Sequence, residues 1–223
     1  MHHLNRNRRH FIALVGAAAA ASVASVGAQP QPAVPKILIV GDSLSAEYGL
    51  ARGTGWVTLL EQRLQQQGPA AQVVNASISG ETTSGGRSRL PALLQQHRPQ
   101  MVVIELGSND ALRGMPLKYT EENLRVMLQA AKDSGARSML VGMQMPPNYG
   151  ASYTQAFSEL FARVAKDTQS PLVPFLLKGV ADAPNANALM QADRLHPRAE
   201  AQPILLGNVW PQLQTLLKSI RMK

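Results

Sequence analysis

The stretch Lys36-Ile37-Leu38-Ile39-Val40-Gly41-Asp42-Ser43 decides the fold. Four consecutive apolar residues, three of them β-branched, make a strand buried on both faces, and unalternating runs of this kind belong to parallel sheets covered on both sides. Gly41 stops the run, and small polar residues follow it.

Working outward, strands and helices alternate. Residues 56–67 place Trp56, Leu59, Leu60 and Leu64 at helical spacing and end at Gly68-Pro69, which predicts an amphipathic helix. Residues 72–75 read as a second strand. Residues 88–97 read as a helix with Leu90, Leu93 and Leu94 on one face, and 101–106 as a third strand. A helix over 120–134 closed by Gly135, a strand over 138–142 and a helix over 153–167 come next. A short fifth strand is expected at 172–173 with Phe175, then a final helical stretch over 199–220 that contains Pro203 and Pro211. Alternation of this kind implies one doubly wound α/β domain, its parallel sheet covered on both faces.

Composition bounds the rest. The chain has 223 residues and 45% hydrophobic content, enough to bury a core in one α/β domain. It contains no cysteine, so disulfides, thiolate metal sites and a cysteine nucleophile are excluded. Residues 1–28 read as a signal peptide: Arg6, Arg8 and Arg9 precede an uncharged, alanine-rich run that ends in Val26-Gly27-Ala28. Arg8-Arg9 followed by His10-Phe11-Ile12 resembles a twin-arginine export motif. Cleavage near Ala28 would leave a single domain, 29–223, in the bacterial periplasm or outside the cell; the alternative is a retained membrane anchor. The formal charge of +8 loses those three arginines with the signal. The remaining basic residues are scattered without a block, which excludes a nucleic-acid partner. No obligate protein partner is evident.

Parallel sheets of this class bind ligands at the carboxyl ends of their strands. The residues that follow the first three strands are Gly41-Asp42-Ser43, Ala76-Ser77-Ile78-Ser79-Gly80 and Gly107-Ser108-Asn109-Asp110, all small, polar and glycine-rich. Ser43 stands where a hydroxyl is presented rigidly, but a serine nucleophile needs a base. Past the signal only His97 and His196 remain. His97 ends a helix, where a cation is an ordinary structural choice. His196 follows Asp193 by three residues, so the carboxylate can hold the imidazole in the tautomer that accepts the serine proton. The structural alternative is that Asp193 caps the last helix and His196 lies on the surface. The Ser43 and Gly80 backbone N–H groups and the Asn109 side-chain amide can form an oxyanion hole, one donor from each strand end. Leu112, Met115, Met145 and Tyr149 are candidate substrate contacts, because adaptable apolar side chains suit an acyl chain or an aromatic ring. Gly-x-Ser-x-Gly, Walker, His-Glu-x-x-His and Gly-x-Gly-x-x-Gly sequences are all missing.

Together, Gly41-Asp-Ser-Leu-Ser45, Asn75-Ala-Ser-Ile-Ser-Gly80-Glu-Thr82, Glu105-Leu-Gly-Ser-Asn-Asp110 and Asp193-Arg-Leu-His-Pro197 resemble the four signature blocks of the SGNH or GDSL-type hydrolases, in the right order. Arg89-Leu-Pro-Ala-Leu-Leu94, Leu112-Arg-Gly114, Pro147-Asn-Tyr-Gly150 and Ala201-Gln-Pro203 are similar to the periplasmic lysophospholipase, acyl-thioesterase and arylesterase subgroup. The resemblance implies a three-layer flavodoxin-like fold with a five-stranded parallel sheet in the order 2-1-3-4-5. It also implies a triad of Ser43, Asp193 and His196, an oxyanion hole of Ser43, Gly80 and Asn109, and no metal or cofactor. The expected activity is hydrolysis of lysophospholipid, aryl or short-to-medium acyl esters, and of thioesters, through an acyl-enzyme, with transient contact to membrane lipid. The rival expectations are a carbohydrate O-deacetylase on the same scaffold and a non-catalytic flavodoxin-like binding module. Glu47 departs from the family pattern, where a small residue is common, and Ser108 stands where close relatives often have glycine.

Overall fold

Strand β1 (Lys36–Gly41) is an interior strand of the sheet, and its apolar residues are wholly buried. In the computed structural model, which describes residues 34–67 and 70–221, it pairs in parallel with β2 (Gln72–Asn75) on one side and β3 (Met101–Glu105) on the other. β4 (Arg137–Val141) and β5 (Leu172–Val173) extend the sheet to the order 2-1-3-4-5, all parallel. β3 is buried along its whole length, whereas the edge strand β2 is partly open to solvent, as an edge allows. The expected signal peptide lies outside the described residues.

Helices cover both faces. α1 (Trp56–Gln67) packs against α7 (Gln202–Arg221), and α4 (Leu117–Asp133) packs between α2 (Thr83–His97) and α5 (Ala151–Thr168). Short helices α3 (Ser108–Leu112) and α6 (Ala186–Leu189) interrupt the loops after β3 and β5. The core comprises the strand interiors with Trp56, Leu60, Leu90, Leu128, Phe157 and Phe161.

Three helices begin earlier than their periodicity predicts, α5 by two residues and the other two by more. α2 starts at Thr83 rather than near 88, with the Thr82 side chain accepting from the Gly85 N–H. Gly85 and Gly86 disguise this first turn, since glycine is a poor helix former. A Cβ at Gly86 would come within 2.4 Å of the buried Leu106, so the helix presses onto the loop after β3. α4 starts at Leu117, directly after Pro116, rather than at Thr120.

Candidate active site

The chain leaves β1 at Gly41 and turns at once. Ser45 and Ala46 donate their N–H groups to the Asp42 carbonyl. The Asp42 carboxylate accepts from the Leu44 N–H at 3.0 Å and from Asn109 Nδ2 at 3.1 Å, which ties the ends of β1 and β3 together. Beneath the turn lies Glu105, fully buried; its Oε2 accepts from Ser45 Oγ at 2.7 Å, and its Oε1 has no partner among the described residues. A Cβ at Gly41 would fall 2.8 Å from both Glu105 Oε2 and Ser45 Oγ, so only glycine fits. Burial pushes the Asp42 carboxyl up to about 6 against the hydrogen bond from Leu44. Burial, and then the charge of Asp42, raises Glu105 well above the ordinary glutamate range.

His196 sits on a loop that closes on itself. Met190 and Pro197 form an antiparallel bridge, Arg198 N–H donates to the Leu189 carbonyl at 2.8 Å, and Gln191 N–H donates to the His196 carbonyl at 2.7 Å. Inside the loop, Asp193 Oδ1 accepts from the N–H groups of Leu195 and His196, and Oδ2 accepts from His196 Nδ1 at 2.7 Å. Burial raises the Asp193 carboxyl, but the hydrogen bonds from His196 and Leu195 outweigh it and hold the group below the usual carboxylate range. Asp193 therefore holds the imidazole and does not cap α7, which starts at Gln202. With Nδ1–H directed at Asp193, Nε2 is left as an acceptor, and it lies 2.8 Å from Ser43 Oγ.

Ser43, Gly80, Asn109 and His196 border one cleft of about 560 Å³. The N–H groups of Ser43 and Gly80 have no acceptor among the described residues, and one Asn109 amide hydrogen remains after the bond to Asp42. Gly80 has φ +77°, and its carbonyl accepts from Arg113 Nη2 at 2.9 Å, which steadies the chain beside Ser79. The cleft wall is apolar, built from Leu44, Leu112, Met143, Met145, Phe175, Leu177 and Met190. Of the substrate contacts expected from sequence, Leu112 and Met145 line it. Met115 and Tyr149 do not: the Met115 carbonyl accepts from Tyr153 Oη, and Tyr149 ends an exposed 3-10 turn. His97 closes α2 and is not part of the lining.

The run from Met143 to Tyr149, which the sequence also places beside the site, contributes Met143 to the wall; the sequence reading missed Phe175 and Leu177, although they follow β5 and the strand-end rule that selected Ser43 applies to them equally. It also missed Tyr48, whose ring centroid is 4.5 Å from that of His196. Ser108 lines the cleft, and its hydroxyl has no partner among the described residues. Glu47 does not reach the cleft lining. Its carboxylate accepts from the N–H groups of Gly53 (2.9 Å) and Gly55 (2.8 Å) and from Thr58 Oγ1 (2.8 Å). Burial alone would raise this carboxyl; those bonds lower it.

Residues 39–203 match the family model described as GDSL-like Lipase/Acylhydrolase. The chain is 51% identical over 187 residues to Esterase TesA of Pseudomonas aeruginosa, covering 84% of this chain and 92% of that one. It is 43% identical over 185 residues to the Thioesterase 1/protease 1/lysophospholipase L1 of Escherichia coli strain K12, covering 83% and 86%. The crystal structure of the psychrotrophic esterase EstA from Pseudoalteromonas sp., inhibited by monoethylphosphonate, superposes with a TM-score of 0.77 at 39% identity, over 82% of this chain and 98% of that one.

Proposed function

Since the chain belongs to the GDSL-like lipase/acylhydrolase family, we propose that its cleft hydrolyses carboxylic esters through an acyl-enzyme on Ser43. The observation that carries this reading is the unbroken line from Asp193 Oδ2 through His196 to Ser43 Oγ, 2.7 Å and 2.8 Å at its two joints. Ser43 Oγ attacks the ester carbonyl while His196 Nε2 takes its proton, and Asp193 stabilises the imidazolium that results. The tetrahedral oxyanion takes hydrogen bonds from the Ser43 and Gly80 amides and from Asn109 Nδ2, donors that need no reorganisation. His196 then protonates the leaving alcohol or thiol, and water repeats the cycle on the acyl-enzyme. Each step uses side chains and amides of the chain itself.

A cleft walled largely by leucine, methionine and phenylalanine favours acyl chains and aryl groups over sugars. Exposed Tyr48 and Leu195 at the cleft, and Ile78 beside the cleft-lining Ser79, suit brief contact with lipid while a lysophospholipid or acyl ester enters. Export to the periplasm or beyond accompanies this reading, supported by the arginine-led apolar run at the N-terminus; N-terminal sequencing of the mature protein should begin near Gln29.

The decisive experiment is a nitrophenyl ester chain-length series on the wild type and Ser43→Ala. The variant should lose about a thousandfold or more in kcat. Wild-type turnover should persist beyond acetyl; rates that collapse after acetyl would instead identify an O-deacetylase, and no turnover with no phosphonate labelling would identify a binding module.

A further inference from the structure

Tyr48 and Gln191 take no part in the steps above, yet they join the loop of the nucleophile to the loop of the base. Tyr48 stands five residues after Ser43, lines the cleft and is half-exposed. Its ring lies against His196 with an interplanar angle of 40°. Its backbone carbonyl accepts from Gln191 Nε2 at 3.0 Å, and the same Nε2 donates to the Pro197 carbonyl at 3.1 Å. One amide group thus grips residues on both sides of the catalytic pair. The fit is close: a Cβ at Gly49, which has φ +69°, would lie 2.2 Å from Gln191 Oε1. From the other direction Glu47, held at φ +59°, anchors the residue before Tyr48 to Gly53, Gly55 and Thr58.

The imidazole needs such a contact. Asp193 and Ser43 hold its two nitrogens and the chain holds it at Cβ, but the hold at Nε2 is given up once Ser43 Oγ attacks, and the side chain is then free to swing about χ1 and χ2. The Tyr48 ring, inclined 40° to the imidazole and 4.5 Å from it between centroids, limits that swing on one side. The Tyr48 hydroxyl has no hydrogen-bond partner among the described residues, so the ring, not the oxygen, supplies the contact.

We propose that Tyr48 and Gln191 act as one positioning clip: the Tyr48 ring bounds a face of His196, and the Gln191 amide sets where that ring stands, so that Nε2 stays on the Ser43 hydroxyl while the proton moves. This rests on the triad reading above. Small misplacements of reacting groups cost up to about a hundredfold in rate.

The test measures kcat and KM on nitrophenyl acetate, together with the second-order rate of Ser43 modification by a small alkyl phosphonate ester. Tyr48→Phe should stay within about threefold of the wild type. Tyr48→Leu and Gln191→Met should each lower kcat and the phosphonylation rate by about ten- to a hundredfold, with KM nearly unchanged. The double variant should be no worse than the poorer single one, because the two residues act as a unit. Tyr48→Leu at the wild-type rate, or losses that multiply in the double variant, would overturn the clip. Persistent activity in Ser43→Ala and His196→Ala would instead overturn the triad reading, a result distinguishable from failure of the clip alone.

Discussion

At the scale of single residues, two buried carboxyl groups under one turn set how the site answers to pH. Glu105 is raised by burial, so the folded chain holds its proton more tightly than the unfolded chain does. The stability it contributes is complete below the ordinary glutamate value of 4.5 and is lost as pH climbs through the folded value. Glu105→Gln keeps the shape and removes the titration. Calorimetry at pH 8 should find the variant melting above the wild type, with the two converging toward pH 4; a variant that melts lower at pH 8 would refute the assignment. Asp193 behaves oppositely, held ionised by His196 and its own loop. Asp193→Asn reverses the tautomer preference of the imidazole and should lower kcat by roughly ten-thousandfold with little change in KM, the pattern known for such triads. The sequence singles out Ser43 by its place at a strand end and Asp193 and His196 by their short spacing, and the structure brings the three side chains together. The sequence does not reveal the Asp42–Glu105 stack, because Glu105 reads as an ordinary strand residue until the neighbouring strand is laid beside it.

Among the elements, the strands are legible in the sequence to within a residue, because a short unbroken apolar run bounded by turn residues is stable only when both its faces are covered. Helix starts are less so: Gly85-Gly86 in α2 and the residues after Pro116 in α4 carry weak local signals and are fixed by packing. The five-residue α3 escapes the sequence for the same reason, being too short to show a period. The joint between β4 and β5 offers a direct test. Gly142 follows β4, donates its N–H to the Val173 carbonyl at 2.8 Å and accepts from the Leu176 N–H at 2.9 Å. A Cβ there would stand 2.6 Å from the Pro174 carbonyl oxygen, a backbone atom that cannot swing aside. Gly142→Ala should therefore destabilise by about 1–3 kcal/mol in denaturant titration. It should also weaken discrimination among acyl chain lengths, since Met143 and Met145 come next along the cleft wall.

Across the whole molecule, the proposed nucleophile Ser43 and the three proposed anion donors come from the first three strand ends, whereas His196, the proposed base, arrives more than eighty residues later in the chain. Gln202 links these regions from behind. Almost fully buried, it accepts from the Trp56 N–H at the head of α1 (3.0 Å) and donates to the Arg198 carbonyl (3.2 Å). Gln202→Leu leaves a buried helix N–H unpaired and should cost about 1–3 kcal/mol, read as a lower urea midpoint. The Arg63 guanidinium over the Trp210 ring, 4.1 Å from its centroid, adds a second tie between α1 and α7. The loop that carries His196 is sealed by the Met190–Pro197 bridge and the bond from Arg198 to Leu189, so imidazole, carboxylate and the Gln191 amide form one portable cassette, whose outside partner is Tyr48. Chimeras with a homologous hydrolase that exchange this cassette whole keep imidazole and carboxylate matched and need only a fitting ring at position 48, whereas a crossover between Asp193 and His196 pairs halves shaped by different parents.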